Sequence, residues 1–163
     1  MADNVITTQL ESALVVSALA RLSQKAANLR PAMENIGAAL VSNIQLLFKD
    51  GETPEGEKWP DLKYRVGQPL RNQGHFMAGI THVAEDSSVA VGPAQEFFYA
   101  AIHNFGGEIF PKKGKYLVFE IGDEKVFATK VTIPKRQFMP DAKLPEEWEQ
   151  DVLDVVTQFI EDD

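Results

Sequence analysis

An α+β fold, with helices at both ends and a small, mostly antiparallel sheet between them, follows from three features of this 163-residue chain. Apolar residues recur at spacings of three and four from Val15 to Leu47 and again from Trp148 to Phe159, the signature of amphipathic helices. Between these stretches lie short runs rich in β-branched and aromatic residues, set around polar turns, which is how strands of a small sheet read. The connections carry much of the glycine and proline, most densely in DGETPEGEKWPDLKYRVGQP.

Val15, Leu19, Leu22, Ala26 and Leu29 predict a first helix over residues 8–28. Pro31 suits the start of a second, whose stripe of Met33, Ile36, Leu40, Ile44 and Leu47 carries it to about Phe48. The two are expected to pack as a hairpin, or residues 1–30 to form a separate arm beside a single α+β domain over 31–163. Asp50 to Pro69 is a loop pinned by Trp59 and Leu62, and a short helix is expected within Leu70 to Ile80, with Gly74 as a turn residue. Residues 81–84 and 88–92 read as a strand pair around Glu85, Asp86 and Ser87.

The segment from Tyr99 to Gly107, YAAIHNFGG, is an apolar helical turn that should stop on Gly106 in a left-handed cap, with Gly107 completing the turn. KYLVFEI (115–121) and KVFATKVTI (125–133) flank Gly122, Asp123 and Glu124 and form the strongest hairpin signal. Pro145 opens a last helix with Glu146 and Glu147 at its positive end and Trp148, Val152, Val155 and Phe159 on one face.

Composition excludes several classes of function. With no cysteine the chain is neither a disulfide scaffold nor a zinc ribbon nor a cysteine-nucleophile enzyme. The N-terminus lacks the basic start of a signal peptide, and no run of about 18 apolar residues predicts a membrane span, so the cytoplasm is the default compartment. A formal charge of −8 opposes generic phosphate binding. That charge is uneven: Lys112 to Arg136 holds seven basic residues against three acidic, whereas Pro145 to Asp163 holds eight acidic and no basic residues. Such polarity suits either subunits whose opposite surfaces meet or two solvated faces.

The search for chemistry returns little. His75, His82 and His103 are the candidate bases, and none lies in a nucleophile motif; GxSxG, Walker A, GxGxxG and HExxH patterns are all missing. Asp50, Glu52, Glu55 and Glu57 do not follow calcium-loop spacing. Glu146 and Glu147 diverge by about 100° around a helix and cannot share one scissile bond. Lys112, Lys113 and Lys115 around Gly114, beside Tyr116, read as a solvated or subunit-facing loop, with a nucleic-acid contact as the second reading. His103 is read first as a strut whose ring caps the last carbonyls of its helix, second as an interface residue with Phe105, and third as a catalytic base. No catalytic residue, metal ligand or cofactor site is therefore assigned.

Four blocks in order resemble the virion-morphogenesis, or tail-completion, family of Mu-like tailed bacteriophages. They are Phe48, Gly51, Pro54, Gly56, Trp59, Pro60 and Leu62; Leu70, Arg71, Gly74 and Ile80; Tyr99, Ala100, His103, Phe105, Gly106 and Gly107; and Ile133, Pro134, Arg136 and Phe138. The resemblance covers roughly residues 35–160 and leaves the first helix outside; Gln137, Met139 and Pro140 depart from the family's usual Pro-Phe-Leu-Gly continuation. It implies a non-enzymatic structural protein, assembled in the host cytoplasm and resident in the virion at the head-tail junction. There a homo-oligomeric ring, expected as a hexamer, closes the tail and meets neck connector and tail-tube proteins. Genomic DNA passes through without specific binding, and no membrane is involved. Tyr99, His103, Phe105, Arg136 and Phe138 are the expected subunit contacts, with a core role as the alternative for each aromatic. The acidic last helix or the loop at 50–58 is expected to face lumen or solvent, and 112–136 a protein partner. A transient scaffolding-type capsid factor and, less favoured, a small hydrolase centred on His103 are the competing readings.

Overall fold

Amphipathic periodicity becomes five helices, and the β-rich runs become three separate two-stranded antiparallel ribbons, in a computed structural model that describes residues 13–64 and 66–162. The helices are α1 (Ala13–Ala27), α2 (Arg30–Asp50), α3 (His75–Ala78), α4 (Ala100–Phe105) and α5 (Glu146–Glu161). The ribbons are β1 (Ile80–Ala84) with β2 (Val89–Pro93), β3 (Gly107–Ile109) with β6 (Val131–Ile133), and β4 (Leu117–Ile121) with β5 (Glu124–Ala128). The α+β class holds. No described helix is long and apolar enough to cross a membrane.

The long helix α2 organises the body. Proline in its first turn needs no N–H partner, and Gly51, at φ 70° and ψ 41°, ends it by donating to the Leu47 carbonyl at 2.7 Å. One side packs against β1 and β2, another against α5, and its last turns carry Ile44 and Phe48 into the centre. The ribbon approaches so closely at Gly37 that a Cβ there would lie 2.4 Å from the His82 ring. His82 also sits 3.0 Å from a Glu34 carboxylate oxygen, so this histidine is occupied by an α2 contact.

Phe48 is fully buried and is the hub of an aromatic cluster. Its ring meets Trp59 and Phe76 edge-on at 5.5 and 5.3 Å and lies tilted against Phe138 at 5.3 Å. Edge-to-face pairs add about 0.5–1.5 kcal/mol each beyond the area they bury. Ile80, Ala100 and Trp148 complete the core, so α5 is held by the residue predicted to face inward. Trp59 pins the irregular 51–74 connection as expected, while Leu62 is only half-buried.

Four expectations change. The first turns of the predicted 8–28 helix, residues 8–12, lie outside the described residues, and α1 does not fold back on α2. It buries no residue, and its stripe of Val15, Leu19 and Leu22 is exposed. Lys25 Nζ instead ties its end to carbonyls of Phe159 and Ile160 at the end of α5. The predicted 125–133 strand is two strands: it breaks at Thr129, and 131–133 leaves its hairpin partner to pair with 107–109. That distant edge is invisible to local periodicity. Gly107 is accordingly the first residue of β3, opposite Ile133, rather than part of a turn. Gly106 has the predicted positive φ, 71°, but its ψ of 175° is extended, so the chain goes directly into β3 without a left-handed cap.

Phe48→Ala should lower unfolding free energy by about 3–5 kcal/mol, because the surrounding rings cannot collapse into the space. Phe105→Ala, at a side chain 66% exposed, should stay within about 0.5 kcal/mol in the isolated subunit. Urea denaturation of the two variants checks the contrast; equal losses would contradict this placement of the core.

Candidate functional site

The motif blocks, separated by up to some eighty positions, converge on the end of α4 and the segment from Arg136 to Met139. An asparagine near the end of a short helix tends to bond backbone groups rather than continue the helix. Asn104 does this across the fold: buried, its Oδ1 accepts the N–H groups of Phe138 at 3.0 Å and Met139 at 2.9 Å. One residue earlier, the His103 carbonyl accepts the Arg136 N–H at 2.8 Å. These bonds lay the 136–139 segment along α4 and drive Phe138, 1% exposed, into the aromatic cluster.

The same segment satisfies the long connection after α2. Trp59 Nε1 donates to the Gln137 carbonyl at 2.8 Å. The buried Arg136 donates from Nε to the Pro60 carbonyl at 2.9 Å and from a terminal nitrogen to that of Asp61 at 3.2 Å. A guanidinium offers its donors in a fixed fork, which suits it to collecting carbonyls from an irregular loop. Gly106 permits the crossing, since a Cβ there would stand 2.9 Å from the Lys135 nitrogen.

Beside this clamp is an open cleft of about 350 Å³, whose wall includes Gly74, His75, Tyr99, His103 and Arg136. The Tyr99 ring packs edge-on against Phe76 at 5.3 Å and against His103 at 5.8 Å. Gly74, at φ 80°, starts α3 and brings His75 to the rim. Two of the three histidines thus share one cleft, and His82 lies elsewhere on β1. The described wall carries no carboxylate, serine or cysteine to work with His103, and among the described residues no three His, Asp or Glu side chains group as a metal site.

His103 differs from its expected role. Its ring does not cap the last carbonyls of the helix: Nδ1 is buried without a hydrogen-bond partner, and the carbonyl of His103 itself accepts from Arg136. Burial, followed by the positive Arg136 beside it, pushes the His103 pKa below its ordinary value, so neutral imidazole is favoured despite the helix end. Of the five expected contact residues, Phe138 and Arg136 are committed inside the subunit, Tyr99 and His103 are half-buried in the cleft wall, and Phe105 stands out in solvent. Asn104 escaped the sequence reading, although a polar residue between His103 and Phe105, just before two glycines, was a visible signal.

Residues 10–161 match the phage virion morphogenesis family. The match takes in α1, which the four motif blocks left outside. The chain is 32% identical over 147 residues, 90% of its own length and 89% of the other's, to the Mu-like prophage FluMu G protein 2 of Haemophilus influenzae. No solved structure matches it.

Asn104→Leu leaves two buried amides without an acceptor and should cost about 2–5 kcal/mol in urea unfolding, far beyond an ordinary surface change. For His103, the unfolded chain takes up the ring proton more readily than the folded one. Stability should therefore fall as pH drops below about 6.5, the unfolded value, and go on falling until the lowered folded value is reached. His103→Gln should remove that acid-side loss, and parallel pH profiles for the variant and the parent would refute it.

Proposed function

Because this chain belongs to the phage virion morphogenesis family, whose members help build phage particles, we propose that it is a tail-completion protein of the head-tail junction. In this reading it is a non-enzymatic subunit of a homo-oligomeric ring, a hexamer, in the neck of the virion. It joins there to connector and tail-tube proteins after assembly in the host cytoplasm. The observation that carries the reading is the family match along nearly the whole chain, 10–161, together with a likeness of similar span to a Mu-like prophage protein.

The subunit's build supports association as its chemistry. Its buried polar side chains, Asn104, Arg136 and Gln137, are spent on holding the 136–139 segment and the 51–74 connection. Its surface carries many large apolar side chains, among them Leu14, Leu19, Phe98, Phe105 and Phe127. Exposed apolar area beyond what a solitary domain shows is the ordinary mark of a contact surface. α1, which buries nothing within its own subunit, acts as an arm, and the body from residue 31 onward acts as the ring domain. The negative net charge suits a ring through which DNA moves without being held.

Quantitative mass spectrometry of purified virions tests this against a transient scaffolding role. The completion protein should remain in finished particles at a small fixed copy number, and disrupting its gene should leave filled heads and unjoined tails. Its absence from finished virions would sink the proposal. His103→Ala should act on assembly or stability, with no turnover to lose.

A further inference from the structure

The β4–β5 ribbon is the part of this fold least explained by its own subunit. Its strands hydrogen-bond to each other in the register Val118 with Phe127 and Glu120 with Lys125, and neither strand contains a buried residue. One face half-covers Leu117, Phe119, Ile121 and Val126. The other presents Tyr116, Val118 and Phe127 at 43%, 58% and 62% exposure, with Tyr116 and Phe127 in edge contact at 6.4 Å. A lone two-stranded ribbon is marginal in water, and an exposed aromatic and β-branched patch on one adds a reason for it to be covered. Around the patch cations outnumber anions: Lys125 stands beside Phe127 with Glu120 opposite it, Lys115 Nζ lies 5.4 Å from the Tyr116 ring centre, and Lys112 and Lys113 precede them.

A surface of opposite character exists on α5. Trp148, Val152, Val155 and Phe159 turn toward the body, but Leu153 and Ile160, seven residues apart and so on one stripe, are 57% and 51% exposed. Glu146 and Glu149 share that stripe, and Asp154 and Glu161 lie about a quarter turn to one side of it. α5 itself has no cation; from outside the helix, Lys143 lies 3.7 Å from Glu149 and Lys25 holds the Phe159 and Ile160 carbonyls at its end. A channel wall of carboxylates has no need of two bare aliphatic side chains, whereas a docking stripe does.

We infer that the β4–β5 ribbon of one copy docks its Tyr116, Val118 and Phe127 face on the Leu153–Ile160 stripe of α5 in a second copy. Lysines 115 and 125 then lie against the carboxylates that flank the stripe. The occupant is a second copy because both halves of the match are in this chain: 112–136 carries seven basic residues against three acidic, and 145–163 carries eight acidic and none basic. Apolar contact supplies adhesion, and charge selects the partner and its orientation. The inference rests on the ring reading and assigns the surfaces that would close the ring.

The chain has no cysteine, so two can be placed at will. Phe127→Cys and Leu153→Cys, both at exposed positions, should leave the circular dichroism spectrum unchanged. Mixed in a glutathione redox buffer, or co-expressed and oxidised within assembled particles, the two variants should give a mixed disulfide dimer. Its yield should be about tenfold above either variant alone, because a disulfide forms only when Cα atoms come within about 7 Å. Lys125→Glu in the Phe127→Cys chain should cut that yield about fivefold at low salt. The docking is overturned if mixed and single samples crosslink alike both in solution and in particles. Chains that remain in the virion without the mixed crosslink would leave the ring reading standing and remove these surfaces from it; chains missing from the virion would remove both.

Discussion

The bond pair from Asn104 Oδ1 to the Phe138 and Met139 amides is the constraint on which the body of this subunit depends. None of its ribbons exceeds two strands, so no sheet is wide enough to organise the chain by itself. α4, only six residues long, supplies the surface on which the 136–139 segment is laid. Once laid there, that segment delivers Phe138 to Phe48, the Gln137 carbonyl to Trp59 and the Arg136 guanidinium to the carbonyls of Pro60 and Asp61. Such a polar network is valuable when complete and costly when broken, since the buried Phe138 amide and Trp59 indole N–H would be left without an acceptor.

Stability is correspondingly uneven across the molecule. The aromatic cluster, the last turns of α2 and the inner face of α5 concentrate the apolar burial. α1 and the β4–β5 ribbon contain no buried residue, and β3–β6 is three residues long on each side, with Lys130 paired to Glu108 at its exposed end. Elements of this sort open at low free energy on their own and gain order from whatever covers them. A subunit with a closed centre and under-packed extremities suits addition to the proposed assembly, in which the extremities would acquire the packing they lack alone.

Much of this was legible in the sequence, for reasons that differ by element. α2 and α5 are long, and their apolar spacing projects directly onto the faces that pack, down to Ile44 and Trp148. The 117–128 hairpin is visible in its β-branched and aromatic runs around Gly122, Asp123 and Glu124, although Glu124 pairs with Ile121 and leaves a two-residue turn. What failed depended on partners far away along the chain. A left-handed cap at Gly106 and a capping ring at His103 follow from the helix end alone, whereas Gly106 leads into β3 and the His103 carbonyl accepts from Arg136, thirty-three positions on. The departure of residues 131–133 toward 107–109, and the bonding of Asn104, likewise follow from tertiary placement. The α1 stripe is amphipathic, but periodicity leaves a hairpin with α2 and a separate arm equally open, because it shows that a face wants cover without showing what covers it.

The same distinction bears on the charge. A net −8 argues that identical subunits repel, yet at physiological salt charges more than about 8 Å apart are largely screened, so contact-range pairs decide whether and how copies meet. The sign asymmetry between 112–136 and 145–163 then matters more than the sum. In the proposed ring, joining unlike surfaces leaves one of each free at the ends of any open chain of subunits, and only closure satisfies both. Excess negative charge on the remaining surface would stay exposed after closure. A ring built in this way draws cohesion from its lysines locally while presenting to passing DNA a particle that is acidic overall, and no residue has to serve both purposes.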